Sequence, residues 1–304
     1  MPAPSVTAAE IFERYEAIRP RLPFAEFPRK SRIIDNIGVI AEEIDIFLLD
    51  AFGVLNVGER VIPGAVSQLE MLTALGKQIF VLTNGATYDG EQAYLKYRKF
   101  GFNLERHQVI SSRDAALAAL GDFPDSFIWG VAATSYSGLG ELPNLIRPLS
   151  DNPEDYEAAD GFLFLSAAEW TEDRQQLLLS ALRHRPRPFL VGNPDLAAPR
   201  EEGLSLEPGY FAHEIADKTG CLPQFYGKPY AAVFDRALRA ANLAGVDRRR
   251  IAMVGDTLHT DILGGAAAGL RTVLVTDHGL FKGMDTSVLI QRAGIVPDFV
   301  AATT

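Results

Sequence analysis

The chain has 304 residues, 47% of them hydrophobic and 22% charged, with a formal net charge of −10. That length allows a sizeable core and more than one domain, while the acidic balance excludes nucleic acid or an anionic membrane surface as the main partner. Cys221 is the only cysteine, so no internal disulfide forms, and neither an apolar leader nor an apolar run of roughly 18 residues is present; the expected location is the cytoplasm.

In chain order, residues 7–19 read as an amphipathic helix with Thr7 as N-cap and Pro20 near its stop. "IDIFLLD" (44–50) is a short, nearly continuous apolar run, the pattern of a strand buried on both faces in a helix-covered parallel sheet. "AVSQLEMLTALGK" (65–77) has helical periodicity and ends at Gly76, and "QIFVLTN" (78–84) is a second buried strand. A polar helix from Gly90 to Lys99 is closed by Gly101, and "HQVISS" (107–112) is a third strand. This β-α-β-α-β order predicts a right-handed, doubly wound α/β layer.

The strands "SFIWGV", "DGFLFLS" and "RPFLVGN", with the helix "TEDRQQLLLSALRH" among them, suggest an inserted α/β unit over 112–194. The C-terminal part returns to the first style. "YAAVFDRALRAANLAG" (230–245) is a helix, "RIAMVGD" (250–256) a strand, "DILGGAAAGL" (261–270) a small-residue helix and "RTVLVTD" (271–277) a strand. Residues 1–111 and 195–304 therefore form one discontinuous core, with 112–194 as a cap. No internal repeat or low-complexity tract stands out.

In open parallel sheets, ligands bind beyond the carboxyl ends of the strands. Asp50 follows "IFLL", Thr83 and Asn84 follow "FVL", Asp256 follows "AMVG", and Lys228 precedes Pro229, placed as the first residue of the next helix. Each residue has a plain explanation: Asp50 as a helix N-cap, Thr83 and Asn84 as turn formers, Lys228 as a solvated lysine, "GDTLHTD" as a capped loop. As an ordered set they have a chemical one. A carboxylate attacks a phosphoryl group to give an aspartyl-phosphate, Mg²⁺ shared by Asp50 and Asp256 offsets anion repulsion, and Asp261 is a further ligand or supports the others. Lys228 supplies fixed positive charge while Thr83 and backbone N–H groups hold phosphate oxygens.

The sequence Asp50-x-Phe52-Gly53-Val54, Thr83-Asn84, Lys228-Pro229 and Gly255-Asp256-(x)4-Asp261 resembles the haloacid dehalogenase superfamily. "TNG" in the second motif, the insert between second and third motifs, "GNPD" (192–195) and "TDILGGAAAGL" resemble its class IIA phosphatase branch. The likeness spans the chain from about residue 40 and leaves the first 35 or so residues outside it. It implies a Rossmann-like core with an α/β cap over the site, Asp50 and Lys228 as catalytic residues, Thr83, Asn84 and Lys228 against the phosphate, and Mg²⁺ held by Asp50, Asp256 and the Phe52 backbone carbonyl, with Asp261 behind or among the ligands. The expected partner is a small phosphorylated metabolite, and a homo-oligomer formed through the cap is left open.

The pattern breaks at Phe52. Relatives carry there a second aspartate, which protonates the leaving group and then activates water, a role worth roughly 10²–10⁴ in rate. Three readings follow. The chain hydrolyses substrates with good leaving groups or borrows an acid, His259 and the Asp277–His278 pair being candidates within reach. It cleaves carbon–halide bonds, since "DAFGVL" resembles the "DAYGTL" form of dehalogenases. Or it binds a phosphorylated ligand with little turnover. Asp256 and Asp261 favour phosphate chemistry, as does the short Asp50–Thr83 spacing, which leaves no room for a dehalogenase-type insert. Candidate selectivity loops are "TSYSGLG" (134–140), "LSAAEW" (165–170) and the hinge-like Asn193 and Asp195.

Overall fold

A computed structural model describes residues 6–200, 203–240 and 246–304. Seven parallel strands form the larger sheet, in the order Arg32–Ile34, Phe299–Ala301, Arg271–Val275, Ile251–Gly255, Ile46–Leu49, Gln78–Thr83 and Val109–Ser111. The central strand shows why the sequence folds this way. Successive side chains of a strand point to opposite faces: Phe47 and Leu49 enter one apolar cluster with Leu69, Leu72, Ala93 and Tyr97, while Ile46 and Leu48 enter another with Val233, Phe234 and Ala237. The helices Ala65–Ala74 and Gly90–Lys99 thus cover one face and Ala231–Ala240 the other, giving the doubly wound α/β layer. The predicted continuation of this last helix over 241–245 lies outside the described residues.

A second sheet of five parallel strands runs Gln224–Phe225, Phe189–Val191, Gly161–Phe164, Ile128–Ala132 and Leu145–Pro148. It packs on Glu172–His184 and on Pro208–Thr219, through Leu178, Leu179, Leu182, Ala212 and Ile215. The boundary expected at 194 is therefore too early: the helix Pro208–Thr219 and the strand Gln224–Phe225 belong with the second sheet. The cause is local, because two paired residues carry no periodicity to read. An antiparallel hairpin, Ala197–Arg200 with Gly203–Leu206, lies between the two parts of this layer in the chain.

The N-terminal helix is Ala8–Ala17, opened by a capping box in which the Thr7 side chain accepts from the Glu10 backbone. It is not an appendage. Ile11, Phe12, Tyr15 and Ile18 are buried in one cluster with Leu258, Ile262, Leu263, Leu280 and Phe281. Among the described residues, no helix is long and apolar enough to cross a membrane.

Candidate active site

Because all strands of the larger sheet run parallel, their carboxyl ends share one edge. Ile46–Leu49 lies between Ile251–Gly255 and Gln78–Thr83, so Asp50, Asp256 and Thr83 come from three neighbouring strands. The Asp50 N–H donates to the Val254 carbonyl at 2.8 Å, extending the ladder by one residue and fixing where its side chain starts. Gly53 turns the chain away with φ 79°, and a Cβ there would sit 2.6 Å from Asp256 Oδ2. At Gly255 a Cβ would collide with the Asp261 carboxylate at 2.0 Å. Both glycines let acidic side chains approach the backbone.

One carboxylate oxygen from each of Asp50, Asp256 and Asp261 lies within 4.8 Å of the others. Lys228 Nζ stands 2.6 Å from Asp50 Oδ1 and 2.7 Å from Asp261 Oδ1, with the lysine side chain only 1% exposed. Asp256 accepts from the Leu280 N–H at 2.6 Å and the Thr257 hydroxyl at 2.9 Å, and Asp261 Oδ2 accepts from the Thr257 N–H at 3.1 Å. Burial works against the Lys228 charge, but Asp261 and Asp50 outweigh it and hold the ammonium protonated far above its usual range. Burial, opposed by Lys228 and assisted by Asp261, pushes Asp50 up to about 7. Burial and then the Asp261 and Asp50 charges push Asp256 up to about 8. Three acids against one lysine do not all ionise freely without a further cation, and an all-oxygen donor set of this kind suits a hard divalent cation. Among the described residues, this is the cluster able to hold a metal ion.

The second motif divides. The Thr83 hydroxyl accepts from the Gly85 N–H at 3.0 Å. The Asn84 amide nitrogen donates to Asp195 Oδ1 (2.8 Å) and the Lys228 carbonyl (3.0 Å), and its oxygen accepts from the Lys228 N–H (2.7 Å). That engages both polar atoms of the side chain, so the Asn84 side chain positions Lys228 and leaves only its backbone N–H for the phosphate contact expected from sequence. Pro229 also differs: the Lys228–Pro229 bond is cis, and the helix begins at Ala231.

Phe52 is half-buried beside a cavity of about 430 Å³. Thr83, Asn193 and Asp195 line this space, and of the two expected selectivity loops Thr134, Ser166 and Ala168 reach it. Thr134 and Ser166 share a hydrogen bond of 2.9 Å between their hydroxyls. Around the aromatic ring stand two cations, the Arg200 guanidinium 5.1 Å and Lys96 Nζ 5.5 Å from its centroid. Each is paired, Arg200 with Glu207 at 2.8 Å and Lys96 with Glu59 at 2.6 Å. Glu207 also accepts from Asn193 and Ser205, and burial raises its pKa. Burial likewise holds Asp195 well above the usual carboxylate range, against Lys228 and with Asp50.

Sequence reasoning missed Lys96, Arg200 and Glu207. Arg200 and Glu207 come from the short hairpin and the start of the next helix, where no periodic pattern marks an inward face. The borrowed-acid candidates fare differently. His259 is fully buried, 2.5 Å from Glu16 and stacked on Tyr15, and burial lowers its pKa. His278 lines another cavity with Arg60 and Pro199.

The sequence family described as haloacid dehalogenase-like hydrolase matches residues 47–133, and the one described as HAD-hydrolase-like matches 225–303. The chain is 26% identical over 253 residues to the acid sugar phosphatase of Staphylococcus aureus, covering 83% of this chain and 92% of that protein. Among solved structures it resembles one described as a possible sugar phosphatase from Cytophaga hutchinsonii, with TM-score 0.79, 26% identity and coverage of 90% and 98% of the two chains. The p-nitrophenyl phosphatase from Archaeoglobus fulgidus matches with TM-score 0.69, 25% identity and coverage of 86% and 97%.

Proposed function

We propose, from its likeness to the class IIA phosphatases of the haloacid dehalogenase superfamily, that this chain hydrolyses a small sugar-type phosphate ester through an aspartyl-phosphate on Asp50. The observation that carries the reading is Lys228, buried with its ammonium within 2.7 Å of both Asp50 and Asp261. Its charge favours the ionised, nucleophilic form of Asp50 at the mouth of the strand, against the burial that pulls toward the neutral acid. An Asp50 oxygen forms the bond to phosphorus as the ester oxygen departs with its electron pair, and a water molecule then cleaves the acyl-phosphate to regenerate Asp50. Thr83 and the N–H groups beside it face the phosphoryl oxygens, while Asn84 and Asp195 hold Lys228 in register.

Asp50, Asp256 and the Phe52 carbonyl would hold Mg²⁺, with Asp261 bonded behind or among them; when bound, the ion neutralises phosphate charge. The buried carboxylates of Asp256 and Asp261, with the part-exposed Asp50 and the single lysine, support that assignment. They also count against the dehalogenase alternative, whose chemistry needs no such cluster. At residue 52 no proton is available for the leaving oxygen, so ester departure depends on the leaving group's own acidity. The cavity offers the Thr134 and Ser166 hydroxyls and the Asn193 amide to a polyol, which, with the sugar phosphatase relatives, is the basis for the substrate class.

A panel of sugar, nucleotide and aryl phosphates assayed with and without Mg²⁺ tests the proposal. Hydrolysis of sugar phosphates that requires the metal is the expected result. Inactivity across the panel, with no thermal stabilisation by vanadate plus Mg²⁺, would leave only a phospho-ligand-binding module.

A further inference from the structure

The family match begins at residue 47, yet a segment far upstream of it touches both halves of the site. Tyr15 stacks on the His259 ring, centroids 4.8 Å apart and planes within 4°, and Phe12 meets the same ring edge-on at 5.5 Å. Glu16 Oε1 reaches His259 Nε2 at 2.5 Å. His259 sits in the wide, π-type turn Leu258–Ile262, in the loop that joins Asp256 to Asp261. On its other side, the Tyr15 hydroxyl accepts from the Leu196 N–H at 3.1 Å. Leu196 follows Asp195, the partner of Asn84.

The same segment is anchored at both ends of this contact. Arg14 and Arg21 each reach Asp217 at 2.5 Å, on the helix that packs the second sheet, while Glu13 pairs with Arg292 of Thr286–Ala293 at 2.7 Å. A π-type turn is a poor structure by itself, because its wide ring is energetically inferior to the α-helix, and such turns cluster at functional sites where surroundings enforce them. Here the enforcing surface is one buried histidine held by three side chains of one helix.

We propose that residues 7–21 are a strap that fixes the Asp256–Asp261 turn and the Asp195–Leu196 crossing relative to each other, with Tyr15 and Glu16 as positioning residues acting through His259. The strap explains how a metal-side loop and a cap-side hinge, whose Leu258 and Leu196 join one apolar cluster with Tyr15, keep a common geometry. Partners behind metal ligands commonly change metal affinity 10–100-fold when removed, and small displacements of reacting groups are costly in rate. The proposal rests on the metal-dependent phosphatase reading for its functional effect, but not for its structural one.

The decisive measurement is amide hydrogen exchange on the full-length, metal-free protein. Glu16→Ala, at a half-exposed position, and Tyr15→Ala should both speed exchange over 256–262 by tenfold or more. Tyr15→Phe keeps the stacking and removes only the hydroxyl, so it should release the Leu196 amide while leaving 256–262 protected. Calorimetric titration with Mg²⁺ should show affinity about tenfold weaker in Glu16→Ala and Tyr15→Ala and unchanged in Tyr15→Phe. Protection over 256–262 that is unaltered in folded Glu16→Ala, or lost equally across the whole chain, would overturn the strap. Should Tyr15→Ala fail to fold, Glu16→Ala and Tyr15→Phe decide the matter between them. A wild-type protein that binds no Mg²⁺ would instead overturn the metal reading, with exchange still judging the strap.

Discussion

The two walls of the site are built on opposite electrostatic plans. On the core wall, the carboxylates of Asp50, Asp256 and Asp261 share one buried lysine, and burial pushes two of the three toward the neutral acid. On the wall around Phe52, Lys96 and Arg200 flank the ring and each is matched by a glutamate. An unbalanced, desolvated cluster is costly to fold and reactive, whereas a neutralised wall shapes and selects without driving chemistry. On the proposed mechanism the core wall does the chemistry and the other wall shapes what enters.

The largest test of that division is Asp50→Asn. It should lower turnover at least about 10³-fold, since the nucleophile is lost, with an unfolding transition close to wild type. Residual activity near wild type would move the chemistry off the core wall. Next in size is Lys228→Met, which strands Asp50 and Asp261 without their common partner. Removing one side of a buried ion pair costs about 3–5 kcal/mol, to be read from a denaturant titration. Arg200→Met on the selecting wall, a part-exposed pair, should cost well under that.

Acid should separate the catalytic edge from the second layer. Asp50 at about 7 and Asp256 at about 8 both lie above the ordinary 3.8. In metal-free protein the folded edge therefore binds more protons than the unfolded chain between about pH 4 and 8, and its contribution to stability falls as pH rises through that window. His213, on the helix packing the second sheet, is shifted the other way, to about 3 from 6.5, by burial and then by Arg21 and Arg14. It stays neutral when folded, so stability there is full above about pH 6.5 and falls by up to roughly 1.4 kcal/mol per pH unit as pH drops toward 3. Hydrogen exchange at pH 5 and pH 8 should show the second layer loosening in acid and the metal-free edge loosening in base, with His213→Phe abolishing the first effect.

The smallest predicted change is the most informative about Phe52. Phe52→Asp returns a carboxylate to the acid/base position, and turnover of alkyl phosphates should rise about tenfold, below the roughly 10²–10⁴ available to a tuned acid. Lys96 and Arg200, now beside the ring, would stabilise the ionised form and make the new group a reluctant donor. Wild-type protein should prefer aryl over alkyl phosphates, and the substitution should narrow that preference. A folded variant without gain on any ester would mean the ring belongs to the selecting wall alone.

Much of this molecule is legible in its residues because the signals are local. Buried strands such as Ile46–Leu49 carry continuous apolar runs, the helix Gly90–Lys99 carries its own punctuation, and Asp50, Thr83, Lys228 and Asp256 are each placed by the strand or helix end next to them. Parallel strands share an edge, so the sequence alone brings Asp50, Thr83 and Asp256 together, while Lys228 is brought to them by its backbone bonds to Asn84. It does not say what each side chain touches once there. That Asn84 is engaged by Lys228, that Arg200 lies over Phe52 at 5.1 Å, and that Tyr15 reaches across 244 positions to His259 are set by side chains from distant elements meeting in space. The strands Gln224–Phe225 and Phe299–Ala301 are of the same kind. Two or three residues have no period of their own, and only the neighbouring strand, supplying hydrogen bonds that water would otherwise take, makes them part of a sheet.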